Sequence, residues 1–302
     1  MPAPSPKSIL TKEERRAKRE ARRAKQRGEN VGRAAKMHTA RLAWEREDRT
    51  RASKTATPST TKVHVGCSGW FYWHWRGGFY PADLATNRWF EHYSHHFKTV
   101  ELNAPFYSWP TTAAVQAWVR QAGRRKFIYT VKASELITHV KRFVGTKTLV
   151  KDFGHIADLL GPHMGCFLFQ LPPSFHYTRA RLDRIVSQLD PIRRNVVEFR
   201  HKSWWNESVF AAFRKAGIVF CSCSGPKLPD QLVKTADDIY IRFHGLKQWY
   251  RHDYTSPELA VWANRIRECG ATKVWAYFNN DRDGYAIKNA RELLRRLRHS
   301  SK

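Results

Sequence analysis

Eight short apolar or aromatic runs punctuate the chain from residue 63 onward. They are VHVGC (63–67), TVELN (99–103), KFIYTVK (126–132), GCFLFQL (165–171), NVVEFR (195–200), IVFCSC (218–223), IYIRFHG (239–245) and VWAYFNN (274–280). Several lack polar alternation, as parallel strands covered on both faces do. The intervening stretches carry apolar residues at helical spacing: Trp89, Phe90 and Tyr93 in 87–97, Val115, Trp118 and Val119 in 112–121, and Leu149, Phe153, Ile156 and Leu160 in 149–160. Residues 180–189, 206–216, 257–268 and 285–298 repeat the pattern, with Gly217 as a helix stop and Ser256–Pro257 as a helix start. Only a short helix fits between the sixth and seventh runs. Eight such units over residues 61–302 predict an α/β fold, a TIM-type (β/α)8 barrel, whose usual length is roughly 250 residues. A doubly wound open sheet is the alternative; neither its GxGxxG turn nor a GxxxxGK[ST] phosphate loop is present.

Residues 1–60 break the pattern. They hold 17 Lys and Arg against 7 Asp and Glu, a net charge of +10 in a chain of +28. The stretch TKEERRAKREARRAKQR (11–27) is rich in helix formers, and Thr11 with Glu14 has capping-box spacing. It has no wide apolar stripe with which to dock on a barrel. The expectation is a basic N-terminal arm, disordered alone or helical on a polyanion, with a flexible linker at 50–62, ahead of a domain at 61–302. The charge favours polyanions, namely RNA, DNA, an anionic membrane surface or a phosphate-bearing small molecule, without choosing among them. A solubilising tail and a mitochondrial leader also fit the composition, although Glu13, Glu14 and Glu20 count against a leader. No run of 18 apolar residues occurs and MPAPSP lacks a secretory apolar core, so the expectation is a cytoplasmic protein with no membrane insertion. Of the five Cys, Cys67, Cys166 and Cys221 lie in apolar runs and are expected in the core. Cys221 and Cys223 without a second thiol pair are a poor zinc or iron–sulfur signal.

A barrel carries its working groups at the C-terminal ends of its strands. That rule selects Ser68, Trp70, Tyr72 and Arg76 after the first strand, Glu101, Asn103 and Tyr107 at the second, and Lys132 and His139 at the third. It adds Gln170 from the fourth, Glu198, Arg200, His201 and Trp204 from the fifth, Arg242 and His244 from the seventh, and Asn279 and Asn280 from the eighth. Alternation puts Glu101 with Asn103, Glu198 with Arg200, and Arg242 with His244 on one side of their strands. Glu101, Glu198, His244 and His201 are the catalytic candidates. Such groups act as acid and base, or hold a divalent metal that polarises a phosphoryl oxygen or activates water. Arg76, Lys132, Arg200 and Arg242 are suited to phosphate or carboxylate, and the aromatics to stacking on a ring or sugar. The same charged residues equally describe an internal salt-bridge network, and no compact metal motif such as HExxH is present.

Seven motifs in order, GCSGWFYWHWRGGFYP (66–81), VELNAPFYSWP (100–110), FIYTVKASELITH (127–139), FQLPPSF (169–175), EFRHKSWW (198–205), YIRFHG (240–245) and YFNNDRDGYAIKNA (277–290), resemble the YecE-like family, the domain of unknown function DUF72. The resemblance covers residues 63–298 and leaves the basic extension outside the family core. It implies a TIM-type barrel akin to xylose isomerases and apurinic-site endonucleases. It carries no established reaction and names no metal.

The function read from these residues is a barrel binding a phosphate-rich ligand or nucleic acid at the ends of its strands. Two alternatives stand beside it: a metal-dependent phosphoester hydrolase, lyase or isomerase using Glu101, Glu198 and His244, and a noncatalytic structural or RNA-associated protein. The sequence does not choose between enzyme and binding protein.

Overall fold

The apolar runs form eight parallel strands: β1 (Val63–Cys67), β2 (Thr99–Leu102), β3 (Ile128–Lys132), β4 (Met164–Gln170), β5 (Asn195–Glu198), β6 (Val219–Ser224), β7 (Asp238–Phe243) and β8 (Lys273–Phe278). The computed structural model describes residues 11–48 and 63–298. The hydrogen-bonded order is β1-β8-β7-β6-β5-β4-β3-β2, so the two ends of the sheet are the first two strands in sequence. These lie side by side and bring the sheet round into a nearly closed TIM-type barrel. Gly66 permits the approach, because a Cβ there would collide with the Thr99 carbonyl.

The helices are α1 (Lys12–Asp48), α2 (Trp89–His96), α3 (Ala104–Tyr107), α4 (Thr112–Ala122), α5 (Lys147–Leu160), α6 (Arg179–Gln188), α7 (Glu207–Ala216), α8 (Ser256–Glu268) and α9 (Tyr285–Arg298). Gly217 ends α7 in the left-handed conformation. Thr255 rather than Ser256 starts α8, through a reciprocal capping box with Glu258, and Pro257 lies within the first turn. The short helix expected between β6 and β7 is absent. Residues 225–237 are turns and bends, since Pro226 and Pro229 remove backbone donors where a helix would need them.

Inward-facing Ile128, Cys166, Leu168, Val196, Val219, Cys221, Tyr240, Trp275 and Tyr277 pack together as a buried cluster of their own, which fills the barrel. Thr99 and Thr130 bond the Tyr277 hydroxyl at 2.7 and 2.9 Å, so the polar atoms in this core are matched. Outward-facing strand residues and the apolar helix faces form the larger second core.

The N-terminal segment, expected to be disordered alone or helical on a polyanion, is helical and docked: Lys12–Asp48 is one helix of 37 residues, begun by the Thr11–Glu14 capping box and laid along α5. Polar anchors replace the missing apolar stripe. The buried Asn30 side chain donates to the Tyr107 carbonyl at 3.0 Å and accepts from the Trp109 amide at 2.9 Å. Arg27 pairs with Glu135 at 3.1 Å and Arg41 with Asp152 at 2.8 Å, while Ala34 and Met37 bury the little apolar surface available. Residues 13–25 remain exposed. The expected linker at 50–62 lies outside the described residues.

Candidate functional site

Along several strands the inward-facing positions change from apolar or neutral to charged at the C-terminal end. Thr99 is followed by Glu101, Thr130 by Lys132, Val196 by Glu198, and Tyr240 by Arg242 and then His244. The period-two alternation of a strand thus delivers five ionisable groups to one end of the barrel.

Arg242 is the centre of this cluster. Its Nη2 donates to Glu101 Oε1 at 2.5 Å and its Nη1 to Glu198 Oε2 at 2.6 Å, with all three side chains almost wholly buried. Glu101 also accepts from Ser68 Oγ at 2.7 Å and from the Tyr240 hydroxyl at 2.6 Å. Glu198 Oε1 accepts from Arg200 Nε. Burial alone would raise the Glu198 pKa, but Arg200, Arg242 and His244 override it and hold the carboxyl well below its usual range. Burial, then Arg200 and Arg242, push His244 well below the ordinary imidazole value, so its ring is neutral at pH 7. His244 Nε2 lies 3.1 Å from Arg200 Nη2 and 3.2 Å from Glu198 Oε1, and its Nδ1 faces the Asn279 amide nitrogen at 3.3 Å. Arg200 also stacks on Trp249, 4.6 Å from the ring centroid.

Lys132 stands apart from this paired set. Its Nζ lies 4.0 Å over the Phe106 ring, and it has no hydrogen bond or ion pair among the described residues. Burial, then Arg242, lowers its pKa to about 7 despite the attraction of Glu198 and Glu101. His139 packs edge-on against the same Phe106 ring at 4.9 Å, and burial followed by Lys132 lowers its pKa to about 4.

The other candidates divide. Tyr72 and Asn103 both donate to the Ser68 carbonyl, at 2.5 and 3.2 Å, and so hold the loop beside Glu101. Gln170 ends β4 with its amide on the Leu171 carbonyl. Tyr107 is exposed, with Arg23 of α1 over its ring. His201 is not drawn into the cluster: it bonds Ser203 and stacks on His176 at 3.9 Å. Trp204 is fully buried between Phe199 and Phe175, Asn280 is buried on His252 and Asn289, Arg76 bonds the Ala82 carbonyl, and Trp70 packs edge-on to Phe90. An open groove of about 750 Å³ beside Tyr254, Leu259 and Lys288 is lined by none of the cluster.

Glu198, Cys223 and His244 each place a donor atom within 4.8 Å of the other two. They do not fit a divalent metal as arranged. Both Glu198 oxygens already accept from arginines, and the Arg200 guanidinium lies against His244 Nε2, where a cation would have to sit. Tyr240, Cys223, Phe106 and Trp249 were not among the residues chosen from sequence. Strand alternation was the available signal for Tyr240, two residues before Arg242; Trp249 comes from a loop and gives no such signal.

The fold and its charged strand ends define a TIM-type barrel with an arginine-bridged carboxylate pair at its mouth. The chain belongs to the family described as protein of unknown function DUF72, whose model matches residues 64–302. It is 26% identical over 271 residues to the UPF0759 protein YunF of Bacillus subtilis, covering 78% of this chain and 94% of that protein. A DUF72 family protein of Thermotoga maritima, TM1631, is 27% identical with a TM-score of 0.71, over 78% of this chain and 99% of that one. A DUF72 family protein of Enterococcus faecalis shares the fold at 18% identity and a TM-score of 0.67, over 80% of this chain and 97% of that one.

Proposed function

We propose that the mouth of the barrel binds a phosphate-bearing anionic ligand. The observation that carries this reading is the charge balance at the strand ends. Among the described residues, Arg200 and Arg242 pair with Glu101 and Glu198, the two carboxylates that also act on Lys132, and both carboxylates are occupied by the two arginines and their neighbours. Lys132 has no hydrogen-bonded or ion-paired counter-ion among the described residues, and Arg200, whose charge lowers the Lys132 pKa, lies over the Trp249 ring. A preorganised cation in a low-dielectric site attracts an anion more strongly than one in water. Asn103 Oδ1, buried without a hydrogen-bond partner among the described residues, offers an acceptor for a ligand hydroxyl. Calorimetric titration with inorganic phosphate and a hexose phosphate tests the reading. Lys132→Met should weaken binding roughly 10- to 100-fold, the loss of one charged hydrogen bond of about 1.5–3 kcal/mol. Absence of binding to the wild-type chain at millimolar concentration would overturn it.

A second reading, binding of single-stranded nucleic acid, is supported by the rim. Phe71, Trp73, Tyr107 and Tyr250, in the segments following β1, β2 and β7, are exposed, and Arg23 and Arg27 bring α1 to Glu135 just beyond β3. Exposed rings beside a cationic helix suit base stacking and phosphate contact. The test is anisotropy of a labelled single-stranded oligonucleotide. Charge reversal of Arg15, Arg19 and Arg22 should lower affinity and flatten its salt dependence, and Trp73→Ala should lower affinity at unchanged salt slope. Unchanged binding in both variants would remove this reading.

A further inference from the structure

We propose that Lys132 is a nucleophile that forms an imine with a phosphate-bearing aldehyde or ketone at the mouth of the barrel. The inference rests on the phosphate-binding reading above and adds to it a substrate class and a reacting atom.

Four observations carry it. Lys132 ends β3, so its Cα is fixed by the sheet while its side chain, 8% exposed, reaches the mouth. Its Nζ lies against an aromatic face rather than a carboxylate. The two acids close enough to influence it, Glu101 and Glu198, have their oxygens taken by Ser68, Tyr240, Arg242 and Arg200. Arg242 and Arg200 add positive charge near the ammonium. An amine desolvated beside other cations sheds its proton near neutrality, which is how a lysine becomes a nucleophile. With its pKa lowered to about 7, about half of Lys132 is the free amine at pH 7.

The chemistry balances without an oxidant or reductant. The amine lone pair attacks the carbonyl carbon, a C–N bond forms, and the C–O π pair moves to oxygen, which takes up the proton lost from nitrogen. The carbinolamine oxygen takes a second proton and leaves as water as the C=N bond forms. Ammonium and carbonyl thus become a protonated imine and water. Solvent at the mouth carries the protons between nitrogen and oxygen. The Arg200 guanidinium on Trp249 is the counterpart for the phosphate.

The probe is pyridoxal phosphate, an aldehyde carrying a phosphate, with pyridoxal as the form without it. The full chain is treated with one equivalent at pH 7, reduced with borohydride and analysed by peptide mass spectrometry, with exposed Lys141 as the internal reference. Lys132 should be labelled at least roughly tenfold faster than Lys141. Its rate should level off above about pH 7, where Lys141 continues to gain, and inorganic phosphate should slow it. Lys132→Arg, verified as folded by its thermal transition, should lose the adduct. Labelling of Lys141 with Lys132 unmodified would overturn the proposal. If phosphate binds calorimetrically yet Lys132 forms no adduct, the nucleophile fails and the anion site stands. Equal labelling by pyridoxal, insensitive to phosphate, keeps the nucleophile and removes the phosphate reading.

Discussion

Arg242 holds two carboxylates at once, and its replacement by Met tests whether the barrel mouth depends on that bridge. Met keeps much of the side-chain length and removes both hydrogen bonds, at 2.5 Å to Glu101 and 2.6 Å to Glu198. Removing one partner of a buried ion pair costs about 3–5 kcal/mol, because the remaining charge is desolvated without compensation. Glu101 retains Ser68 and Tyr240, and Glu198 retains Arg200, so the loss should lie at the lower end, about 3 kcal/mol at pH 7. The pH dependence has a definite sign. Glu198 is held below its unfolded pKa, so its contribution is complete above the unfolded value of about 4.3 and is lost as pH falls through the folded one. Without Arg242 the folded pKa rises toward the unfolded one, the variant takes up a proton sooner, and the gap between the two proteins narrows from pH 7 toward about pH 3, below the unfolded value. Urea unfolding followed by circular dichroism at both pH values measures this. A variant within about 0.5 kcal/mol of wild type at pH 7, the range of a neutral surface change, would refute the bridge.

Four further outcomes follow from the same geometry. Sulfate, which does not titrate near neutrality, should bind less tightly as pH rises through about 7, where Lys132 loses its charge, and this slope should vanish in Lys132→Met; calorimetry across that range decides it. Trp204→Ala should cost about 3–5 kcal/mol in urea unfolding while leaving phosphate affinity unchanged, since Trp204 stacks in the core at 3.9 Å from Phe199. Glu135→Ala, which frees Arg23 and Arg27, should speed amide hydrogen exchange in residues 12–27 and leave the strands protected; unchanged exchange would contradict the anchoring role. Gly66→Ala should destabilise by more than about 1 kcal/mol in the same unfolding assay, because its Cβ meets the Thr99 carbonyl.

The strands were legible because each is a run of buried residues bounded by turns, and β1 falls at Val63–Cys67 as its apolar run indicates. Their charged ends were legible too, since an ionisable residue two positions beyond a buried one shares its side of the strand, as Glu198 does with Val196. Other features carried no local signal. The docking of α1 depends on Asn30, Arg27 and Arg41 meeting groups more than 75 residues away, and no stripe of apolar residues announces it. Trp204 and Asn280 follow strand ends in sequence yet turn into buried packing, because a position just past a strand does not fix which way its side chain points. Which carboxylate oxygen an arginine takes is a matter of three-dimensional geometry, and that geometry separates the paired Arg242 from the unpaired Lys132.

Anion binding at the barrel mouth is tested by anomalous diffraction from crystals soaked in tungstate, a heavy analogue of phosphate. A tungsten peak is expected at the barrel mouth within hydrogen-bond reach of Lys132 Nζ and the Arg200 guanidinium. Tungsten found only at the exposed arginines of α1, or a divalent-metal peak held by Glu198, Cys223 and His244 in untreated crystals, would contradict it.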